Sequence, residues 1–315
     1  MMQADRTSGI RRFLRAFLPA TALAGATLTA LGCGASPIMA TYDADDRLES
    51  FMQADFNRIF WVHVPDRPEP GPAAPLVLAF HGSGQGAESF RALTGLDAVA
   101  DREGFIVVYL QAAMGDWDIF DSIDFLGLDE IGYVREVIER VERTNVIDSR
   151  RIIAVGLSNG GVFSQQLGCK LADRLAGFVS VAASMPRLMA AQCTPSRPIS
   201  ALYVLGTADG FFPVGGSSTV LSTDATVGFW ATANRCNGRR LRTMVPDRED
   251  DGTTVYRGQY YSCRNGTRTE LDSIVGGGHA WPGGVVPAPA GFGPSSRDIS
   301  ANAEIVRFLG NMPGR

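Results

Sequence analysis

The chain has 315 residues, 45% hydrophobic and 20% charged, which is enough to bury one large core and argues against a disordered or fibrous protein. Its formal net charge of −4 leaves no basic excess for clamping phosphates, so nucleic acid is excluded as the expected partner.

Residues 1–40 read as a signal peptide. Arg6, Arg11, Arg12 and Arg15 precede an uncharged stretch from Ala16 to Leu31 that ends in small residues. That stretch is too short and Gly-rich for a comfortable membrane span, so the mature protein is expected to have none. The expected location is therefore extracellular or periplasmic, with residues 41–315 forming a single domain. Ala30-Leu31-Gly32-Cys33 partly matches a lipoprotein cleavage box, which makes lipid anchoring at Cys33 the alternative to free release.

Residues 41–56 are polar and acidic and read as a surface lead-in. Phe60 to Val64 alternates large residues and stops at Pro65, predicting an early strand, and a Pro-rich loop follows to Pro75. Leu76 to Phe80 and Phe105 to Tyr109 are continuous apolar runs separated by a helical stretch around Leu93 to Arg102, the rhythm of a parallel sheet buried on both faces. Ile131, Val134, Ile138 and Val141 recur at helical spacing. Arg151 to Val155 then reads as a strand, Gly156 to Gly160 as a tight turn, and the run to about Ala172 as a helix. Further strands are expected at Phe178 to Ala182, Ile199 to Leu205 and Leu271 to Val275, with a hairpin from Thr243 to Tyr261 as an insertion. The prediction is an α/β protein of the α/β-hydrolase type, a mostly parallel central sheet flanked by helices.

Hydrolysis of an ester needs an activated hydroxyl, a base to take its proton, and donors for the oxyanion that forms. Gly156-Leu157-Ser158-Asn159-Gly160 stands between a strand and a helix, where glycines allow the sharp turn that exposes a nucleophilic serine. Asp209 follows the strand ending at Leu205, and His279 follows the last strand, giving the order Ser, Asp, His of an α/β-hydrolase. Asp272 is the alternative acid. The oxyanion hole is assigned to the backbone N–H groups of Ser83, in His81-Gly82-Ser83-Gly84, and of Asn159. His81 and His63 read as structural. Trp117 and Trp281 are expected to wall a substrate site, with core packing as the competing reading.

In an oxidising compartment Cys169, Cys193, Cys236 and Cys263 can pair in three ways. Zinc is the competing reading, but no close Cys-x-x-Cys pair exists and only His63, His81 and His279 could supplement the cysteines. Chain path favours Cys169–Cys193, across a short connection between neighbouring elements, and Cys236–Cys263, tying the hairpin to its preceding helix.

With these residues in place, the chain resembles the polyhydroxybutyrate depolymerase and feruloyl esterase family of secreted α/β-hydrolases over about residues 57 to 310. The resemblance rests on Leu76 to Gly82, Asp101 to Phe105, Gly156 to Gly161, Gly206-Thr207-Ala208-Asp209, and above all Gly276-Gly277-Gly278-His279-Ala280-Trp281-Pro282-Gly283-Gly284. It implies a triad of Ser158, Asp209 and His279, no metal, no cofactor, and small or oligomeric feruloyl, acetyl or hydroxyalkanoate esters as substrates. It also points to the same disulfide pairing. The chain departs from the family in Asp129-Glu130 and Leu110-Gln111, which bears on substrate preference. The alternative from another class is a catalytically silent α/β-hydrolase that binds a ligand at the cell surface.

Overall fold

The computed structural model describes residues 46–66, 72–119, 128–238 and 240–312; the leader 1–40 with Cys33 lies outside them. The chain runs through β1 (Asp46–Gln53), β2 (Phe56–His63), β3 (Ala74–Phe80), α1 (Ala87–Thr94), α2 (Leu96–Glu103), β4 (Ile106–Leu110), α3 (Glu130–Thr144), β5 (Ile147–Leu157), α4 (Asn159–Lys170) and β6 (Gly177–Val181). It continues through α5 (Arg187–Gln192), β7 (Ser200–Gly206), α6 (Thr223–Ala233), β8 (Leu241–Met244), β9 (Thr254–Tyr260), β10 (Thr269–Val275) and α7 (Ala301–Gly310).

The described strands form one sheet in the order β1-β2-β4-β3-β5-β6-β7-β10-β9-β8. The six central strands from β4 to β10 pair in parallel, and the pairs at both ends are antiparallel. Every residue of β3, β4, β6 and β7 is buried, as expected of parallel strands covered on both faces. Side chains alternate between two cores. Leu76, Leu78 and Phe80 face α3, α4 and α6 through Val137, Phe163 and Trp230. Val77 and Ala79 face α1, α2 and α7 through Phe90, Leu96 and Phe308.

Two sequence expectations change. Residues 46–53 are not a loose lead-in but the edge strand β1, paired antiparallel with β2 from Asp46–His63 to Gln53–Phe56. Its polar side chains hide it because an edge strand buries little. The hairpin β8–β9 is not an insertion either, because β9 pairs with β10 and so extends the central sheet.

β1 is also held by charge. His63 Nδ1 lies 2.6 Å from Asp46 Oδ1 and its Nε2 lies 2.8 Å from Asp101 Oδ1, so both ring nitrogens face carboxylates. Arg91 from α1 bridges Asp46 and Asp97, and the Tyr109 hydroxyl donates to Asp97 at 2.7 Å. Burial disfavours the imidazolium of His63, but the hydrogen bond to Asp46 and the charges of Asp97 and Asp101 outweigh it and raise its pKa above 6.5. Asp46, His63 and Asp97 are also the one group among the described residues with three metal-type side chains converging. Their atoms are already engaged with one another and with Arg91 and Asp101, so the group acts as a clasp from the edge strand to α1 and α2.

Disulfides join Cys169 at the end of α4 to Cys193 after α5, and Cys236 after α6 to Cys263 after β9, the pairing expected from the chain path. They close loops with separations of 24 and 27 residues. Chain entropy gives each a stabilisation of about 3.5 kcal/mol. Converting Cys169 and Cys193 together to serine should lower the unfolding free energy in urea by about 3 kcal/mol, and a change below about 1 kcal/mol would show that this bond constrains nothing. The clasp makes a second prediction, on pH. A histidine with a raised folded pKa gives stability that is full below its unfolded value and is lost as pH rises through the folded one. Unfolding free energy of the wild type should therefore fall as pH rises above about 6.5, and His63→Gln should flatten that part of the profile; an unchanged profile in the variant would remove His63 as the cause.

Candidate active site

The direction of winding reverses between β3 and β5, since from β3 the chain passes to β4 on one side and from there to β5 on the other. The carboxyl ends of strands at such a switch point leave a crevice where ligands bind in open α/β sheets. Here those ends are His81-Gly82-Ser83 after β3 and Ser158 after β5.

At the end of β5 the backbone turns so tightly that only glycine fits two residues before and two residues after Ser158. A Cβ on Gly160 would lie 2.1 Å from the Phe80 carbonyl oxygen, and one on Gly156 would lie 2.2 Å from that of Gly160. Ser158 itself sits at φ 56°, ψ −121°, a sparsely populated conformation. Its N–H donates to the Val181 carbonyl and its carbonyl accepts from Val162 N–H, both at 2.9 Å, which anchors the strained turn to β6 and α4. Asn159 opens α4. Its side-chain oxygen accepts from Trp117 N–H at 2.7 Å and its amide donates to the Trp117 carbonyl at 3.2 Å, so the first turn of the helix is clamped by the 111–119 loop.

The loops after β7 and β10 are zipped together. Ala208 N–H donates to the Gly277 carbonyl, Thr207 N–H to that of Ile274, and Gly276 N–H to the Thr207 hydroxyl. This brings the buried side chains of Asp209 and His279 into contact, with His279 Nδ1 2.8 Å from Asp209 Oδ2. The other carboxylate oxygen accepts from Phe211 N–H at 2.8 Å and Phe212 N–H at 2.9 Å. Burial opposes ionisation of Asp209, but the His279 hydrogen bond and the two backbone donors prevail and hold its carboxyl below the usual carboxylate range. With Asp209 an acceptor at Nδ1, the histidine carries its proton there and leaves Nε2 as the basic nitrogen.

Asp272, the alternative acid, lies in β10 and is fully buried against Arg257, whose Nε donates to it at 2.8 Å. Burial and then the charge of Glu304 raise its pKa, so it belongs to the charged cluster under α7 and not to His279.

Ser158 and His279 line one cavity of about 450 Å³ together with Gly82, Ser83, Leu157 and Trp281. Around Ser83 the backbone donors are sorted. Gly82 N–H is taken by Gln85 Oε1 at 2.9 Å and Gly84 N–H by Asp116 Oδ1 at 3.2 Å, which leaves that of Ser83 between them at the cavity. His81 is fully buried. Its Nδ1 pairs with the Gly82 carbonyl at 2.9 Å, its Nε2 accepts from Ala112 N–H at 3.2 Å, and burial lowers its pKa, so it stays neutral and shapes the loop.

The two tryptophans part company. Trp281 lines the cavity, with its Nε1 donating to Asn302 and its ring edge-on to Phe90. Trp117 does not line it. Its ring is stacked on Phe163 at 4.7 Å and edge-on to Phe80 in the core, and its Nε1 donates to the His81 carbonyl. The expectation of Trp117 as a substrate wall is corrected on this point, because the ring is turned inward onto Phe80 and Phe163. Its contribution to the site is the backbone clamp on Asn159. Sequence reasoning missed the residues that line the cavity beyond Trp281, namely Val286, Pro287, Ala288, Pro289 and Phe292. Their only signal was proximity to the His279 motif.

No family model matches the chain. Putative esterase NocK of Nocardia uniformis subsp. tsuyamanensis is 29% identical over 287 residues, 85% of this chain and 83% of that protein. Feruloyl esterase B of Piromyces equi is 26% identical over 66% of this chain, which spans only 40% of that protein. Poly(3-hydroxyalkanoate) depolymerase C of Paucimonas lemoignei is 30% identical over 35% of this chain and 28% of its own length. Among solved structures, an acetyl xylan esterase from Aspergillus awamori superimposes over 84% of this chain and 99% of its own with a TM-score of 0.59 at 12% identity, a likeness of fold. From its sheet and from these relatives, the chain has the α/β-hydrolase fold, is similar in sequence to feruloyl esterases and a poly(3-hydroxyalkanoate) depolymerase, and is a carboxylic ester hydrolase.

Proposed function

We propose that the protein is an exported serine esterase in which Ser158 is the nucleophile, His279 the base and Asp209 the carboxylate that orients it. The observation that carries this reading is the 2.8 Å contact of His279 with a buried, ionised Asp209, on a cavity that His279 shares with Ser158. Ser158 Oγ attacks the ester carbonyl and passes its proton to His279 Nε2. The resulting oxyanion is held by the backbone N–H groups of Ser83 and Asn159. The tetrahedral species collapses with cleavage of the ester C–O bond, and His279 gives the proton to the departing alcohol. Water then repeats the cycle on the acyl-enzyme, releasing the carboxylic acid and restoring Ser158.

The substrates proposed are esters of feruloyl, acetyl or hydroxyalkanoate groups, in keeping with the names of the relatives. Residues 1–40 are proposed to be a signal peptide, and 41–315 the catalytic domain. Support for export comes from the two disulfides, which persist in oxidising compartments. Among the described residues no helix is long and apolar enough to cross a membrane.

Ser158→Ala should remove nearly all hydrolysis of p-nitrophenyl esters while leaving the unfolding transition in place, and retained turnover would end the mechanism. It would also end the silent-binder alternative, which predicts no turnover in the wild type. Asp209→Asn should lower kcat by about 10⁴, because the amide stabilises the wrong histidine tautomer; a loss below tenfold would remove Asp209 from its assigned role.

A further inference from the structure

The segment after the His279 motif, residues 284–295, is irregular in backbone and largely exposed, yet it is tied down at both ends. Val285 N–H donates to the Leu93 carbonyl at 2.8 Å, at the end of α1. At the other end His279 N–H donates to the Phe292 carbonyl at 2.6 Å and Gly278 N–H to that of Pro294 at 2.8 Å. Gly278 has to be glycine for this, since a Cβ there would lie 2.1 Å from the Phe292 carbonyl oxygen. The segment is thus a strap slung from α1 to the backbone of the catalytic histidine. Pro287 and Pro289 stiffen it by fixing φ.

The inner side of the strap is apolar and forms a wall of the Ser158 cavity through Val286, Pro287, Ala288, Pro289 and Phe292. Leu93 and Trp281 complete that surface from α1 and the histidine loop. About 450 Å³ is space for about fifteen water molecules at roughly 30 Å³ each, so an acetyl group would leave most of the wall in contact with water. Phe211 backs this wall: its ring lies 4.7 Å from the imidazole and 5.1 Å from that of Phe292, is 58% exposed and does not line the cavity. The acyl group stays bonded to Ser158 through both halves of the reaction, so it is the part of the substrate that a wall beside Ser158 covers throughout.

Resting on the serine esterase reading above, we infer that the 284–295 strap is the acyl-specificity element of the enzyme, selecting bulky apolar acyl groups over acetyl by covering them with Val286, Pro287, Pro289 and Phe292. The selection follows from burial, since each methylene removed from water under the strap favours the bound transition state about three- to fourfold.

The test is a p-nitrophenyl series of acetate, butanoate, hexanoate and octanoate, which varies the acyl group and holds the leaving group constant. In the wild type kcat/KM should rise from acetate to hexanoate by at least about tenfold. Val286→Asp places a charge on the apolar wall at a half-exposed position that tolerates it, and should cut the hexanoate-to-acetate ratio by at least about tenfold. Val285→Asp puts the same charge one residue away on a side chain that is 70% exposed and does not line the cavity, and it should leave the ratio as in the wild type. Wild-type hydrolysis with acetate as the best ester would overturn the inference while sparing the esterase reading. A ratio unmoved by Val286→Asp, or moved equally by Val285→Asp, would overturn it in the same way. A wild type that hydrolyses none of the four, with Ser158→Ala indistinguishable from it, would overturn both.

Discussion

The site depends on one steric constraint, the near-contact of the Gly160 backbone with the carbonyl end of β3. Because two chains meet there with no side chain between them, the turn after β5 can be sharp enough to hold Ser158 above the sheet at positive φ. Such a conformation costs on the order of 1–3 kcal/mol, and two backbone hydrogen bonds together with the parallel strands on either side hold it in place. The same approach brings the loop after β3, with Ser83, and the start of α4, with Asn159, to the carboxyl ends of neighbouring strands. The Cα of the proposed nucleophile and the N–H groups of the proposed oxyanion donors are therefore positioned by main chain.

The other half of the site is positioned differently. Asp209 and His279 stand on loops that extend beyond β7 and β10, and the hydrogen bonds between those loops bring them together. Four backbone or ring donors surround the two residues' polar atoms, if the N–H of His279 to the strap is included. The carboxylate stays charged although buried because three of those donors point at it. Asp272 shows the opposite outcome a few residues upstream, where burial beside Glu304 raises the pKa and an arginine provides the balance.

Much of this was legible in the sequence because its causes are local. Unbroken apolar runs marked β3 and β4, mainly apolar ones marked β6 and β7, and glycines at fixed offsets marked the serine turn. Two acids could not be separated by pattern alone, because what chooses Asp209 is the zipping of two loops 70 residues apart. The strand β1 was invisible because its partner and its charged clasp make it a strand, while its own composition does not. α7 carries Ile305, Phe308 and Leu309 at helical spacing, a signal present but overshadowed by the loop before it. For Trp117, an aromatic ring in an irregular loop can face substrate or core, and only the positions of Phe80 and Phe163 decide. The strap has no periodicity of any kind, since prolines and glycines describe its stiffness but not the surface it covers.

β10 enters the sheet between β7 and β9, both of which precede it in the chain, and it pairs with β9 along its full length and with β7 from Thr269 to Ile274. A ribosome making this protein therefore completes the serine turn well over a hundred residues before it makes His279. Until Thr269 to Val275 stands between those two strands, the residue proposed as the base cannot reach the one proposed as the nucleophile. The order of strands thus makes the last strand of the sheet to be synthesised the one that completes the proposed site.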